Sequence, residues 1–151
     1  MKAAEKGVVV LAVGLPGSGK STWFRRHGIR PLSSDRLRKL LLGDETDQSR
    51  QTLVFTVLRD LLRLRLAVGR PITYVDATSL NRHERLPYIR IARQHGYKVE
   101  ALFFDVPVEV CLKRNRRRRR HVPQEAVLRM AQKLRSPSLA EGFRKITVVR
   151  G

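Results

Sequence analysis

The chain has 151 residues, 42% hydrophobic and 30% charged, which suits one ordinary globular domain with one sizeable core; no run approaches the ~20 apolar residues that span a bilayer. Its single cysteine, Cys111, excludes an internal disulfide and a multi-cysteine metal site and agrees with a cytoplasmic location. Thirty-two Lys and Arg face 13 Asp and Glu, a net charge of +19; a polyanion partner would use that field by releasing counterions, whereas an Arg-rich proteome would produce the same excess without such a partner.

Lys2 and Lys6 before an apolar run superficially resemble a signal peptide, but Val8–Gly14 (VVVLAVG) leads directly into a phosphate-binding motif without a small-residue cleavage site. The run is expected to be a first strand covered on both faces. A helix should follow from Lys20 to about Arg26, then a short strand near Pro31–Ser33 and a helix after Asp35 through Leu42. Thr52–Val68 places Val54, Leu58, Leu61, Leu64 and Val68 at helical spacing. Pro71–Asp76 is the next strand. Asn81 with Glu84 resembles a capping box opening a helix towards His95, although Pro87 could move its start to Leu86 or kink it. Lys98–Val106 is a strand. Pro107 and Glu109 suit the first turn of the next helix, Gln124 to about Leu134 forms another, and Ile146–Val149 is a last strand. Strands alternating with helices predict a five-stranded parallel sheet with helices on both faces, in one domain spanning 1–151.

Gly14-Leu15-Pro16-Gly17-Ser18-Gly19-Lys20-Ser21 matches G-x-x-x-x-G-K-[ST] in full, between a strand and a helix. Its glycines let backbone N–H groups turn inwards around phosphate oxygens, and the helix start adds partial positive charge. Lys20 is expected on the β- and γ-phosphates of ATP or another NTP, Ser21 on Mg²⁺, and Gly14, Pro16, Gly17, Ser18, Gly19 and Thr22 around the nucleotide. A P-loop alone does not separate a kinase from other NTPases.

Asp35, after the second strand, should sit at the carboxyl edge of the sheet, where it either accepts the proton of an attacking hydroxyl or caps the following helix. Ser34 lies beside it. Arg38, three residues on, could hold an acceptor phosphate. Asp76 ends an apolar strand, the place of an acid near Mg²⁺, reached directly or through water, or of a turn residue. Six of the seven positions Arg114–Arg120 are Arg. A solvated charge block is one reading; the other is a lid over about 114–123, with Arg114 and Arg118 on the inward face of a helix, closing on the phosphates.

GLPGSGKST (Gly14–Thr22), SSDRLRK (Ser33–Lys39), DETDQ (Asp44–Gln48), VDATSLNRHER (Val75–Arg85), FFDVPVEVCLKRNRRR (Phe103–Arg118) and VPQEAVLRM (Val122–Met130) together resemble the kinase module of polynucleotide 5′-hydroxyl kinases. That resemblance implies an adenylate-kinase-like three-layer P-loop fold and phosphoryl transfer to the 5′-OH end of RNA or DNA. It implies Asp35 as general base, Arg38 on the acceptor's 3′-side phosphate, Arg114 and Arg118 on the donor phosphates, and Gln48 and Thr78 as further acceptor contacts. Position 79, often Asn in similar sequences, is Ser79 here. Because 151 residues leave no room for the phosphatase or ligase modules often fused to this kinase, any such activity is expected on another chain, or the kinase is expected to stand alone. A small-molecule kinase on the same fold and a nucleotide-gated nucleic-acid-binding module are the competing expectations.

Overall fold

The computed structural model describes residues 6–119 and 122–151. Lys2, and Arg120 and His121 within the expected lid, lie outside the described residues.

The long apolar run becomes β1 (Val8–Val13), which pairs in parallel with β3 (Ile72–Asp76) on one side and β4 (Lys98–Phe104) on the other. β2 (Leu32–Ser33) adds to β3, and β5 (Lys145–Val149) adds to β4, giving the order β2-β3-β1-β4-β5. The central place of β1 explains its unbroken hydrophobicity. Val9 and Leu11 face one core layer with Leu58, Leu62, Ile89 and Val99. Val10 and Ala12 face the other with Phe24, Leu102 and Phe104. Val9, Leu11 and Val13 are fully buried, each worth about 1.5–3 kcal/mol of transfer free energy. The sheet points its carboxyl edge, and the loop after β1, at one end of the molecule.

The helices are α1 (Lys20–Arg26), α2 (Ser34–Leu42), α3 (Gln51–Ala67), α4 (Arg82–Gln94), α5 (Val108–Arg116) and α6 (Gln124–Lys133), with a 3₁₀ turn at Leu139–Glu141. α2, α3 and α4 contribute to the Val9–Leu11 layer, and α1 covers the opposite face. Among the described residues no helix is long and apolar enough to cross a membrane.

Two details differ from the expectations, in α3 and β4, and the start of α4 follows the first of its two expected readings. The buried stripe of α3 is Val54, Leu58, Leu62 and Leu66, while Leu64 and Val68 are exposed. The run LLRLRLAV offers two stripes diverging after Leu58, and strict four-residue steps keep contact with the core, whereas three-residue steps turn to solvent. α4 starts at Arg82, with the Asn81 side chain accepting from the Glu84 N–H, and runs through Pro87; the proline removes one donor near the helix start without ending it. β4 stops at Phe104, two residues short of Val106.

Candidate functional site

Val13 delivers the chain into a tight loop whose glycines meet specific neighbours. At Gly17 (φ +83°) a Cβ would lie 2.5 Å from the Cys111 carbonyl oxygen, so a side chain would collide with α5. Gly19 (φ +98°) is the N-cap of α1, and the Arg114 guanidinium lies 3.6 Å from where its Cβ would be. Lys20, Ser21 and Thr22 open α1, so their N–H groups have no carbonyl one turn back. The first such bond of the helix runs from the Trp23 N–H to the Gly19 carbonyl at 2.9 Å. The Ser18 hydroxyl is buried with no hydrogen-bond partner, an arrangement that costs free energy unless a ligand completes it. A loop of free donors, a cradle closed to side chains and an orphaned hydroxyl fit a phosphate-bearing ligand.

Lys20 donates to the Gly14 carbonyl at 2.7 Å, and its ammonium lies 3.8 Å from the Asp76 carboxylate. The parallel pairing of β1 with β3 brings these two ends together. Burial pushes the Asp76 carboxyl above its ordinary value; Lys20 opposes that shift, Asp35 reinforces it and Arg36 opposes it. A desolvated carboxylate beside a hydroxyl, Ser21, has the donor chemistry of a hard-cation site.

β2 pairs with the end of β3, Ser33 facing Asp76 in register. The expected capping role of Asp35 belongs instead to Ser33, whose hydroxyl accepts from the Arg36 N–H at 3.3 Å. Asp35 sits in the first turn of α2 and is exposed, whereas Ser34 is buried. Arg38 is buried beneath it. Its guanidinium donates to Asp35 at 2.7 Å and, through Nε and Nη2, to the Gln51 carbonyl oxygen at 2.9 and 2.8 Å, and it lies 5.8 Å from the Phe55 ring centroid. Gln51 was not anticipated. Gln48, expected as an acceptor contact, is exposed in the loop before α3. Thr78 is half-buried in the loop after β3. A cleft of about 380 Å³ opens beside the loop, with Ser21, Ser33, Arg36 and Asp76 in its lining.

On the lid side the expected helical pair separates. Arg114 is on α5, half-buried, with Nη2 donating to the Gly151 carbonyl at 3.4 Å and its guanidinium above Gly19. α5 ends at Arg116, so Arg118 lies beyond its last turn and is exposed. The reason is Asn115, which is buried and exchanges side-chain hydrogen bonds with both backbone groups of Val122. That clasp folds the segment back where a continued helix would run on. Burial also pushes the Cys111 thiol upward, against the pull of Arg114 and Lys20.

A second buried cluster supports this edge. Arg85 donates to both carboxylate oxygens of Glu141, at 2.7 and 3.1 Å, and to the Ser79 and Arg135 carbonyls at 3.1 and 3.0 Å. It ties α4 to the loop after β3 and to the chain leaving α6. Burial alone would raise the Glu141 carboxyl, but the Arg85 and Ser138 hydrogen bonds hold it below its ordinary value. The partners are 56 residues apart in sequence, so no local signal in the sequence points to them.

A family model described as an AAA domain matches residues 9–137. The chain is 28% identical over 151 residues to the transcription factor bHLH140 of Arabidopsis thaliana, covering 93% of this chain and 16% of that protein. It is 34% identical over 73 residues to the L-seryl-tRNA(Sec) kinase of Mus musculus, covering 48% and 20%. The chain thus spans a fifth or less of the curated relatives it matches. A solved chain of the Pnkp1/Rnl/Hen1 RNA repair complex superposes with TM-score 0.75 at 21% identity, over 87% of this chain and 45% of that one. The shared architecture is the P-loop kinase fold of adenylate-kinase-like type.

Proposed function

The chain belongs to the AAA domain family, and on that premise we propose that it is a polynucleotide 5′-hydroxyl kinase, transferring the γ-phosphate of ATP or another NTP to a 5′-OH end of RNA or DNA. The observation that carries this reading is one sheet edge with two chemistries. The loop holds Lys20 and Asp76 3.8 Å apart, and the adjoining β2–α2 junction holds an exposed carboxylate, Asp35, on a buried guanidinium, Arg38. The first suits a triphosphate; the second suits an alcohol that carries a phosphate nearby. The tRNA-directed kinase among the relatives, the RNA repair complex among the similar structures and the net charge of +19 all support a nucleic-acid acceptor.

In this reading Asp35 takes the proton of the 5′-hydroxyl as its oxygen bonds to the γ-phosphorus. The bond from that phosphorus to the β–γ bridging oxygen breaks, and the NDP leaves with its electron pair. Arg38 fixes the acceptor through its phosphate. Lys20 and Arg114 lie against the donor phosphates, with Arg118 joining from the exposed segment beyond α5, and Ser18, Gly19 and the α1 N–H groups orient them. Ser34, Gln48 and Thr78 contribute acceptor contacts. Ser21, with Asp76 nearby, would hold Mg²⁺, which would supply positive charge to the donor phosphates when bound.

The test is incubation with γ-labelled ATP, Mg²⁺ and 5′-OH oligonucleotides of RNA and DNA, beside a panel of sugars and nucleosides. Label on oligonucleotide ends supports the reading; label only on a small alcohol replaces it with a small-molecule kinase. Asp35→Ala should lower transfer on the order of 10²–10³-fold while leaving ATP binding intact. Near-normal turnover of that variant would remove the base assignment.

A further inference from the structure

The cleft beside the loop carries more positive charge than donor binding uses. From Ser21 and Asp76 it extends along the α1 side of the sheet, walled by Phe24, Ile29 and Pro31. Arg25, Arg30 and Arg36 reach it from three segments: α1, the loop before β2 and the first turn of α2. Among the described residues none of these three guanidiniums forms an ion pair within the protein, whereas Arg38, Arg63, Arg85, Arg144 and Arg150 do. The one carboxylate in the lining, Asp76, is already engaged by Lys20. Three like charges gathered around one concavity repel one another, and a bound anion relieves that repulsion.

This is a different place from Arg38. Arg38 packs with Gln51 and Phe55 of α3, on the layer that faces Val9 and Leu11. Phe24 and Ile29 belong to the opposite layer, with Val10 and Ala12. The two sets of arginines therefore flank the β2–α2 junction from opposite faces of the sheet.

We propose that this cleft binds the phosphodiester backbone of the nucleic-acid acceptor at a nucleotide away from the reacting end. The inference rests on the acceptor class assigned under Proposed function. Guanidinium forks match phosphate oxygens two bonds at a time. The apolar wall covers a sugar or base face without reading base edges. A cleft of about 380 Å³ falls in the range of small-ligand sites and is too small for a duplex. Binding here is independent of sequence, because backbone contacts position and do not specify. Inorganic phosphate and a mononucleotide share the recognised group, so the test must separate them from a strand.

The experiment measures fluorescence anisotropy of a 3′-labelled 12-nucleotide 5′-OH strand over a range of salt, without ATP or Mg²⁺. It compares the protein with its Arg25→Gln/Arg30→Gln/Arg36→Gln variant and with the corresponding triple Lys variant. The Gln variant should bind about tenfold or more weakly at low salt, with the slope of log K against log salt reduced by about 2, and the Lys variant should keep the slope. All three side chains are on exposed residues, and an unchanged melting temperature verifies folding. Should the triple variant misfold, Arg30→Gln alone should reduce the slope by about 0.7.

Unchanged affinity and slope would overturn the proposal. So would equal loss of a nucleoside 3′-phosphate and of the strand, or displacement of the strand by inorganic phosphate at the strand's own concentration; either would mark a free-phosphate site. A wild-type protein that binds the strand with this slope but never phosphorylates it keeps the cleft and loses the kinase reading. A Gln variant that phosphorylates 5′-OH strands at wild-type efficiency keeps the kinase reading and loses the cleft.

Discussion

In the proposed reaction the phosphate loop and the lid arginines approach the same ligand with opposite materials. The loop works through backbone and is braced by buried neighbours: the Cys111 carbonyl against Gly17 and the Lys20 ammonium on the Gly14 carbonyl. The lid works through long side chains, of which Arg114 is half-buried and Arg118 is exposed. A site made of backbone is organised before the ligand arrives, whereas one made of exposed arginines gives up side-chain freedom when it closes. The loop is therefore sensitive to single methyl groups, and the lid to what anchors its base.

The largest effect tests the buried pair that ties α4 to the chain leaving α6. Arg85→Ala would leave the Glu141 carboxylate buried without its partner, and unfolding titrations should show a loss of about 3–5 kcal/mol. The pair also fixes an acid limit. The Glu141 carboxyl is lowered in the folded chain, so its contribution is present above the ordinary carboxylate value and is lost as pH falls through the depressed one. If Arg85→Ala melted like the parent, the buried ion pair would not be what holds α4 to the chain leaving α6. Next is Gly17→Ala, which forces a positive φ and a collision with the backbone of α5; nucleotide binding measured by calorimetry should fall on the order of tenfold or more, the strain costing about 1–3 kcal/mol. A mild effect would mean that the brace against α5 gives way easily.

Arg114 and Arg118 sharpen the contrast within the lid. Arg114→Ala should lower turnover on the order of 10²-fold, and Arg118→Ala less, because only Arg114 is held over Gly19 before ligand binds. Equal losses would show that closure organises both. The smallest expected effect has the opposite sign. Burial raises the Asp76 carboxyl, so its ionised form opposes folding above the raised value, and the cost is relieved as pH falls through it. Asp76→Asn should raise the melting temperature by a few degrees, worth about 1 kcal/mol, while phosphoryl transfer drops. A lower melting temperature would mean that the Lys20 contact outweighs the burial.

The loop was legible almost completely, because its chemistry is backbone conformation and each glycine occupies a position that demands one. The strands were legible too, since β1 is hydrophobic on both faces and only a central parallel strand needs that. What escaped is what depends on distant partners. Asn115 clasps Val122 and stops α5 at Arg116, so extending helical geometry to Arg118 failed. Ser33 and Asp35 both have cap chemistry, and backbone geometry selected Ser33. Gln51 reaches Arg38 across the loop between α2 and α3. In α3 the sequence supports two apolar stripes, and only docking on the sheet selects between them.

The ion pair between Asp35 and Arg38 has a consequence for selectivity. The guanidinium is engaged by a carboxylate and by an amide oxygen. A visitor seeking that cation must trade places with a negative charge instead of with solvent. Anions can make the exchange at little net cost, because one charged pairing replaces another. Uncharged alcohols cannot, so under the proposed function they should be the poorer acceptors.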